Sequence, residues 1–321
     1  MTSFSHVRPH AARGYAYIAA ATFCWGLSAT LGRAAFTGRL FASGSLPRID
    51  PLILAQSRTT ISLLVLAPIL LLRGGRAKLA LPVSDAVRGL VLGVLGVAAS
   101  NYFYYAAIDK TNVATAITVQ YTAPVLVLMY MVARRRQRAT AMRVSAVLLS
   151  VIGCALAIGL LGGSRLRLDP TGLAAAEIAA FSFAFYNVYA HGLLLRHDRW
   201  RVLIFALLGA ALFWMVINPP WRVMAQHYSS QQWLFLLVFA VTSVLVPFSF
   251  YFAGLQHLDA TRAIVTSCLE PVFSILIAAV ALGELVRPLQ ALGIVFVLLA
   301  TLLVQIPGAG TKDVALLEPI E

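Results

Sequence analysis

Long apolar stretches recur along the whole chain, and few charged residues interrupt them. A stretch of roughly 17–25 apolar residues crosses the hydrocarbon core of a bilayer as one helix. The stretches are continuous and lack the alternation of apolar and polar residues found on the wall of a membrane β-barrel. Hydrophobic residues make up 60% of the chain and charged residues 12%, whereas the apolar share of a soluble domain is about 45–50%. The sequence therefore predicts an all-α integral membrane protein.

We predict ten transmembrane helices from these stretches. Their predicted bounds are Gly14–Phe36, Asp50–Leu72, Ala86–Ile108, Thr111–Ala133, Thr140–Leu161, Pro170–Leu195, Arg201–Ile217, Gln231–Leu255, Asp259–Leu282 and Pro288–Ile306. The first apolar run exceeds the 7–15 residues of a signal peptide core, so we expect it to be a permanent anchor. Residues 307–321 are rich in Gly, Pro and charge and are predicted to form a flexible tail.

A weak internal repeat relates the two halves of the chain. An offset of 147 residues superimposes the pairs Pro124 and Pro271, Tyr104 and Tyr251, Ala106 and Ala253, and Ala116 and Ala263. Nearer the N-terminus an offset of 158 residues places Gly172 on Gly14, which fits an insertion in the loop from Gly38 to Asp50. Each half holds five predicted helices, an odd number, so the halves must be inverted in the membrane. Inverted repeats around a central cavity are typical of secondary transporters with alternating access.

Basic residues set the predicted orientation. The net charge is +13, and Lys and Arg collect in the loops on one side of the predicted helices: Arg73, Arg76, Lys78, Arg88, the run Arg134–Arg138, Arg143, Arg196, Arg199 and Arg201. Because positive residues remain on the cytoplasmic side, we expect both termini to be cytoplasmic. The run Arg134–Arg138 is interpreted as a lipid-facing anchor, and no nucleic-acid partner is expected.

A motif near the C-terminus resembles a known transporter family. Its residues are Glu270 and Pro271, then Gly283 and Glu284, then Pro288, Gln290 and Gly293. The pattern is similar to the EamA-type module of the drug/metabolite transporter superfamily. The first half keeps Pro124 but has Arg135–Arg138 where a Gly-Glu pair might stand, so it resembles the family less closely.

The resemblance implies an inner-membrane carrier built from two five-helix modules, at residues 14–161 and 170–306, with residues 1–13 as a cytoplasmic N-terminus. The aromatic richness of the inner helices is most similar to bacterial aromatic amino acid exporters. That similarity implies export of aromatic amino acids and related amphipathic compounds. Related modules move sugars, nucleosides, cofactors and drugs, which are the alternative substrates.

Hydroxyl groups recur on one face of the fourth predicted helix, at Thr111, Thr115, Thr118 and Thr122. Such a stripe would face water or substrate, and Thr118 and Thr122 are candidate binding residues. The alternative is that these hydroxyls bond to carbonyls of the preceding turn and allow close helix packing. In the ninth predicted helix Thr266 is a further candidate.

Aromatic residues occupy equivalent faces in the two halves. Asn101, Tyr104 and Tyr105 share a face of the third predicted helix, and Phe248, Tyr251 and Phe252 share one of the eighth. Together they could clamp a flat ring by offset stacking, worth about 0.5–1.5 kcal/mol per pair. The alternative for any single ring is the interfacial aromatic belt or filling of the core.

Two further helices carry polar faces. The sixth places Ser182, Tyr186 and Tyr189 on one face, and the first does the same with Thr22, Trp25, Ser28 and Gly32. Trp25 lies well inside its helix, away from the belt, which indicates a cavity role, with structural filling as the alternative. The candidate substrate-binding residues from these faces are Trp25, Ser28, Ser182 and Tyr186.

Four ionisable residues lie within predicted helices at the depth of the hydrocarbon core: Arg33, Arg58, Glu177 and Glu270. A charge in the bilayer costs a few kcal/mol on insertion scales, so each requires a partner or a function. We interpret the first three as an ion-pair network in the outer half of the bundle, with a gate as the functional alternative. Glu270 lies near mid-depth beside Pro271, which frees a backbone carbonyl and loosens the helix. This carboxyl could exchange a proton, meet an amine, or cap the broken helix.

Other classes of protein fit less well. The sequence has no HExxH, nucleophile elbow or Gly-rich phosphate loop, so we expect neither an enzyme nor a cofactor. The three cysteines lack the spacing of a metal site. A channel is the remaining alternative, and a flux that saturates with substrate would separate carrier from channel. Gly89 and Gly93 form a GxxxG pair that could serve a dimer or packing within the bundle, so we expect a monomer or weak dimer.

Overall fold

The structure is a computed structural model that describes residues 10–36, 49–75, 79–111, 113–159, 169–282 and 285–306. Every regular element in these ranges is helical, which confirms the predicted all-α class. We number the helices α1 (Ala11–Phe36), α2 (Pro51–Gly74), α3 (Val83–Lys110), α4 (Val113–Gln120 and Ala123–Ala133), α5 (Ala141–Ala157), α6 (Pro170–Leu194), α7 (Arg199–Ile217), α8 (Ser230–Leu255), α9 (Ala260–Ser267 and Leu269–Leu282) and α10 (Pro288–Leu303). A short helix, Pro220–Met224, connects α7 to α8.

Within the described ranges, seven helices are long and apolar enough to cross a membrane. They are α2, α3, α4, α6, α7, α8 and α9. Helices α5 and α10 are shorter and apolar, and α1 is 26 residues long. The protein is therefore a helical membrane protein with several spanning helices.

Acidic caps explain where several helices begin. The Asp50 carboxylate accepts a hydrogen bond from the Leu52 amide at 2.7 Å, and α2 begins at the next residue, Pro51. Asp169, Asp198 and Asp259 cap α6, α7 and α9 in the same way. Such carboxylates satisfy amide donors that a helix start leaves without partners. The Asp198 cap starts α7 at Arg199 rather than at the predicted Arg201, and α3 begins at Val83 rather than Ala86.

Helices α4 and α9 are each interrupted, which corrects the predicted continuous helix in the fourth span. In α4 the turn Tyr121–Thr122 separates two segments, and in α9 the break falls at Cys268. A proline follows each break by a few residues, Pro124 in α4 and Pro271 in α9. A proline lacks the amide that would bond the carbonyl four residues earlier, so the chain departs from regular helix there.

Helices α3 and α8 each contain a π-helical turn. These turns occupy Leu92–Ala98 in α3 and Val241–Leu245 in α8. A π-turn holds more residues than an α-turn and often lies at a functional site. In both helices the aromatic segment follows directly, with Asn101 and Tyr104 in α3 and Phe248 and Tyr251 in α8.

Glycines allow the closest helix contacts. A side chain at Gly93 would lie 2.0 Å from the Ala206 carbonyl oxygen, and one at Gly209 would lie 2.2 Å from the Leu90 carbonyl oxygen. Gly89 packs against Phe205 in the same contact between α3 and α7. The GxxxG pair of α3 therefore packs within the bundle. Helices α5 and α10 run antiparallel and also meet closely. A side chain at Gly293 would lie 2.4 Å from the Ala157 nitrogen.

The helices pack in a reciprocal pattern. Helix α1 packs on α8 and α9, and α6 packs on α3 and α4. Helix α2 contacts α7 and α8, and α7 contacts α2 and α3. Helix α5 packs mainly on α10. The interior of the bundle is thus bounded by segments from both halves of the chain.

Several polar contacts join connections at one end of the bundle. The Tyr15 hydroxyl donates to the Val304 carbonyl at 3.1 Å, so α1 begins where α10 ends. At the same end Thr261 donates to Gln137 at 2.7 Å. His197 meets Asp85 there at 2.6 Å. These contacts place the start of α1, the end of α10 and the α2–α3, α4–α5, α6–α7 and α8–α9 connections on one face.

Candidate functional site

Four aromatic side chains from three helices meet inside the bundle. The Trp25 ring of α1 lies 5.2 Å from Tyr251 and 5.5 Å from Phe248, both on α8, measured between centroids. Tyr186 of α6 lies 5.7 Å from each of these two rings. We call Trp25, Tyr186, Phe248 and Tyr251 the aromatic cluster. Trp25 and Phe248 are partly exposed, so their faces remain available for contact with a flat molecule.

Polar atoms orient the buried members of the aromatic cluster. Tyr251 is fully buried, and its hydroxyl donates to the side-chain oxygen of Asn187. The Asn187 amide in turn donates to the Phe183 carbonyl at 2.8 Å. The Tyr186 hydroxyl is buried and has no hydrogen-bond partner among the described residues. A buried hydroxyl without a partner is costly, so this atom can receive a polar group of a ligand.

Charged and phenolic side chains form a second group around the α9 break. The Tyr121 hydroxyl of α4 lies beside the Glu270 carboxyl group. The Arg58 guanidinium of α2 interacts electrostatically with Glu270 and with Tyr104. The Arg58 Nε atom is buried and has no hydrogen-bond partner among the residues that the structure describes. We call Arg58 and Glu270 the charged pair.

The two groups adjoin each other at the broken turn of α9. The Tyr251 hydroxyl lies beside the Ser267 hydroxyl, and Tyr251 is close to Cys268. Tyr121, which lies beside Glu270, is also close to Cys268. The Cys154 thiol of α5 donates to the Cys268 carbonyl at 3.8 Å. A flat apolar surface and a pair of opposite charges therefore flank the same short stretch of backbone.

Several predicted binding hydroxyls bond to their own helix instead. Ser28 donates to the Cys24 carbonyl at 2.8 Å, and Thr266 donates to the Arg262 carbonyl at 2.7 Å. Thr122 and Thr111 do the same with Val119 and Ala107. The predicted threonine stripe is also interrupted, since Thr111 caps α3 and Thr122 follows the α4 break. Thr118 lies in the first segment of α4.

The other predicted site residues are distributed among these groups. Tyr105 packs edge-on to Tyr104, with ring centroids 5.5 Å apart. The Asn101 amide donates to the Val97 carbonyl at 2.6 Å, and Ser182 is buried on α6. Pro271 occupies the first turn of the second α9 segment, beside Glu270. The structure thus unites Trp25, Tyr186 and Tyr251 and places Tyr104 with the charged pair.

The described residues include only part of the ion-pair network predicted for Arg33, Arg58 and Glu177. Glu177 is half-buried on α6, and its pairing with Arg58 stays a prediction. The Arg33 side chain and the Gly283–Glu284 part of the motif lie outside the described residues. In the structure Arg58 interacts electrostatically with Glu270.

A family model decides the class of this helical bundle. The model of the EamA-like transporter family matches the chain twice, over residues 12–159 and 170–306. The chain belongs to the EamA-like transporter family. The resemblance of the Glu270-Pro271 motif to this family, and to its drug/metabolite transporter superfamily, is thereby confirmed. Two groups of interior residues in an EamA-like transporter are candidates for contact with a transported solute.

Curated relatives of this EamA-like transporter are also transporters. The chain is 25% identical over 224 residues to the uncharacterized inner membrane transporter YicL of Salmonella typhimurium, covering 69% of this chain and 74% of that protein. It is 27% identical over 220 residues to an uncharacterized transporter of Archaeoglobus fulgidus, covering 65% and 75%. A solved crystal structure has the same fold, with a TM-score of 0.71 and 20% identity over 92% of this chain and 96% of that one.

Sequence analysis missed Tyr121, the phenol that lies beside Glu270 in this EamA-like transporter. The two residues are far apart in the chain, and helical periodicity does not connect them. One signal was present. Tyr121 precedes Pro124 by the same three residues that separate Cys268 from Pro271, so the repeat places Tyr121 at the counterpart of the α9 break.

Proposed function

We propose that this EamA-like transporter is a secondary transporter that exports aromatic amino acids and related amphipathic compounds by alternating access. The observation that carries this proposal is the aromatic cluster lying next to the charged pair at the α9 break. An aromatic amino acid has a flat apolar ring and a charged head group, and each matches one of these groups. Ring stacking contributes about 0.5–1.5 kcal/mol per pair.

The proposal includes two inverted modules, at residues 14–161 and 170–306, and ten membrane-spanning helices around a central cavity. Matched packing contacts support the two-fold relation. Gly14 of α1 packs against Leu258, and Gly172 of α6 packs against Thr111. The repeat offsets relate Gly14 to Gly172 and Thr111 to Leu258. The π-turns of α3 and α8 and the breaks of α4 and α9 support the same relation.

We further propose that both termini are cytoplasmic and that the protein acts in the inner membrane as a monomer or weak dimer. The face where Tyr15 meets Val304 also carries the α4–α5 and α6–α7 connections. These connections contain Arg134–Arg138 and Arg196, and Arg199 and Arg201 follow in the first turn of α7. The excess of basic residues supports a cytoplasmic location for that face.

Transport by the purified protein in lipid vesicles tests the substrate class. Competition among the standard amino acids, nucleosides, sugars and cationic dyes should single out the aromatic amino acids, and uptake should saturate with concentration. Trp25→Ala, Tyr104→Ala and Tyr251→Ala should each weaken aromatic substrates roughly 2- to 10-fold, the loss of one stacking contact, with smaller effects on small aliphatic ones.

A matched control is Tyr102→Ala, which removes a ring that packs against Phe213 and Trp214. That substitution should leave the preference for aromatic substrates unchanged. Equal losses for aromatic and aliphatic substrates in the three site variants would reject the ring-binding surface. If a nucleoside, sugar or dye competed better than the aromatic amino acids, that class of compound would replace them as the proposed substrate.

A further inference from the structure

We propose that the charged pair is the head-group site for a zwitterion, with Arg58 binding the carboxylate of the substrate and Glu270 binding its ammonium group. The inference rests on the proposed function for the ring that accompanies this head group. It assigns a direct binding role to two residues that a purely structural ion pair would leave buried and unchanged throughout transport.

Charge balance in the bundle favours a zwitterion over other ligands. Arg58 and Glu270 carry opposite charges within the membrane, where a charge without a partner is strongly unfavourable. A zwitterion brings one charge of each sign, so it can pair with both residues at once and leave neither without a partner. A simple amine would occupy Glu270 and leave Arg58 unpaired. A simple acid would occupy Arg58 and leave Glu270 unpaired.

The hydrogen-bonding capacity of Arg58 supports a carboxylate ligand. Its Nε atom is buried and has no hydrogen-bond partner within the described part of the chain. A guanidinium presents its N–H groups as a planar fork that matches the two oxygens of a carboxylate. Arg58 is only partly buried as a residue, so a small ligand can reach it from the interior of the bundle.

The setting of Glu270 supports an ammonium ligand. The Tyr121 hydroxyl lies beside this carboxyl group, and an ionised carboxylate has more acceptor sites than one phenol can use. Glu270 is partly exposed, unlike its neighbours Leu269 and Pro271, which are buried. Its side chain therefore faces accessible space within a helix that is otherwise packed at this point.

The aromatic cluster and the charged pair adjoin the same short stretch of α9. Tyr251 of the aromatic cluster lies beside Ser267, and Glu270 follows Ser267 by three residues, across the break at Cys268. We therefore assign the ring and the head group of one amino acid to these two groups.

Three related ligands test the inference in reconstituted vesicles: phenylalanine, phenethylamine, which lacks the carboxylate, and 3-phenylpropionate, which lacks the ammonium group. We expect wild-type protein to prefer phenylalanine over each of the other two by at least about tenfold, as a buried charge is left unpaired otherwise. Arg58→Gln should abolish the preference over phenethylamine. Glu270→Gln should abolish the preference over 3-phenylpropionate.

The pattern of losses decides the outcome. If both variants keep the wild-type ratios among the three ligands, the charged pair is structural and the inference is wrong, while transport of aromatic amino acids still stands. If wild-type protein takes none of the three ligands, the proposed function itself fails. Arg222→Gln, at an exposed position of the short Pro220–Met224 helix, is the control and should leave every ratio unchanged.

A conservative variant covers the possibility that Arg58→Gln does not fold. Arg58→Lys retains the positive charge but loses the planar fork. It should keep the preference for phenylalanine over phenethylamine while binding phenylalanine several-fold more weakly. Wild-type affinity for phenylalanine in folded Arg58→Lys protein would overturn the assignment of the carboxylate to Arg58.

Discussion

The interruptions of α4 and α9 have similar backbones but different chemistry. Tyr121 of α4 and Cys268 of α9 are related by the repeat offset, and a proline follows each by three residues. In α9 the residue before the proline is Glu270, whereas in α4 it is Ala123. Helix α9 provides the Glu270 carboxyl group, and helix α4 provides the Tyr121 phenol that lies beside it.

This difference shows how a repeated scaffold can hold an asymmetric site. The broken turn is a property of the backbone and recurs in both halves, since a proline produces it in each. The ionisable group appears once, so that one carboxylate meets one guanidinium. The comparison predicts that changes to the shared backbone affect both halves alike, while changes to the chemistry do not.

The largest effect should come from Glu270→Gln. The amide removes the negative charge that attracts Arg58, and a charge within the membrane that loses its compensation costs roughly a few kcal/mol. We also expect the pH dependence of transport to flatten, because the carboxyl that could bind and release a proton is absent. Transport rates in vesicles between about pH 5 and 8, with thermal unfolding in parallel, measure both effects.

The control for this change is Tyr121→Phe, which removes the hydroxyl beside Glu270 and keeps the carboxyl. That variant should lose about 1–3 kcal/mol of stability at most and retain the pH dependence. An unchanged pH dependence in folded Glu270→Gln protein would leave Glu270 a structural residue only.

Two glycines test whether the halves pack alike. Added methyl groups in Gly14→Ala and Gly172→Ala would lie 2.6 Å from the Leu258 side chain and 2.5 Å from the Thr111 side chain, respectively. We expect each to lower the free energy of unfolding by about 1–3 kcal/mol, the usual effect of overpacking. Thermal unfolding should give similar losses for both, with Ala174→Ser on the exposed face of α6 as a neutral control. A loss confined to one variant would contradict equivalent packing.

Prolines separate the shared backbone from the unshared carboxylate. Pro124→Ala and Pro271→Ala each restore one amide, which can form a helical hydrogen bond worth about 1 kcal/mol. Both variants should be slightly more stable. Transport should fall more for Pro271→Ala, since straightening α9 moves Glu270 relative to Tyr121. Equal transport losses would mean that the two breaks serve the same purpose.

The smallest effect concerns His257, whose counterpart in the first half is Lys110. Burial, together with the positive charges of Arg13, His10 and Arg199, lowers the pKa of His257 in the folded protein. The unfolded chain then binds a proton more readily than the folded one, so stability declines as the pH falls below about 6.5. His257→Gln should reduce this decline by a few tenths of a kcal/mol, and a slope equal to the wild type in thermal unfolding would contradict it.

Much of the fold follows from local sequence. Apolar runs predict the helices, and carboxylates such as Asp169 and Asp259 mark where two of them begin. Pro271 predicts that α9 loosens, and the break at Cys268 agrees. The interruption of α4 was missed, because Pro124 occupies the first turn of its second segment, where proline is tolerated. The π-turns were missed because the apolar pattern of α3 and α8 does not change within them.

The candidate site was harder to predict than the fold. Trp25, Tyr186 and Tyr251 were identified from helical faces, and they meet in one cluster. The proximity of Arg58 to Glu270 was not identified from helical faces, because it depends on tertiary packing rather than on spacing within one helix. Hydroxyls such as Ser28 and Thr266 satisfy themselves within their own helices, so their presence on a polar face does not by itself indicate a ligand.

The π-turns of α3 and α8 allow these helices to rotate without lengthening. Each contains an extra residue, and moving that extra residue along the helix past the aromatic segment would turn the side chains it passes by about 100°. The helix ends, such as the Ser229-capped start of α8, would remain in place. Tyr251 could thereby leave Asn187, and Tyr104 could leave the charged pair, while the loops at both membrane surfaces stay in place.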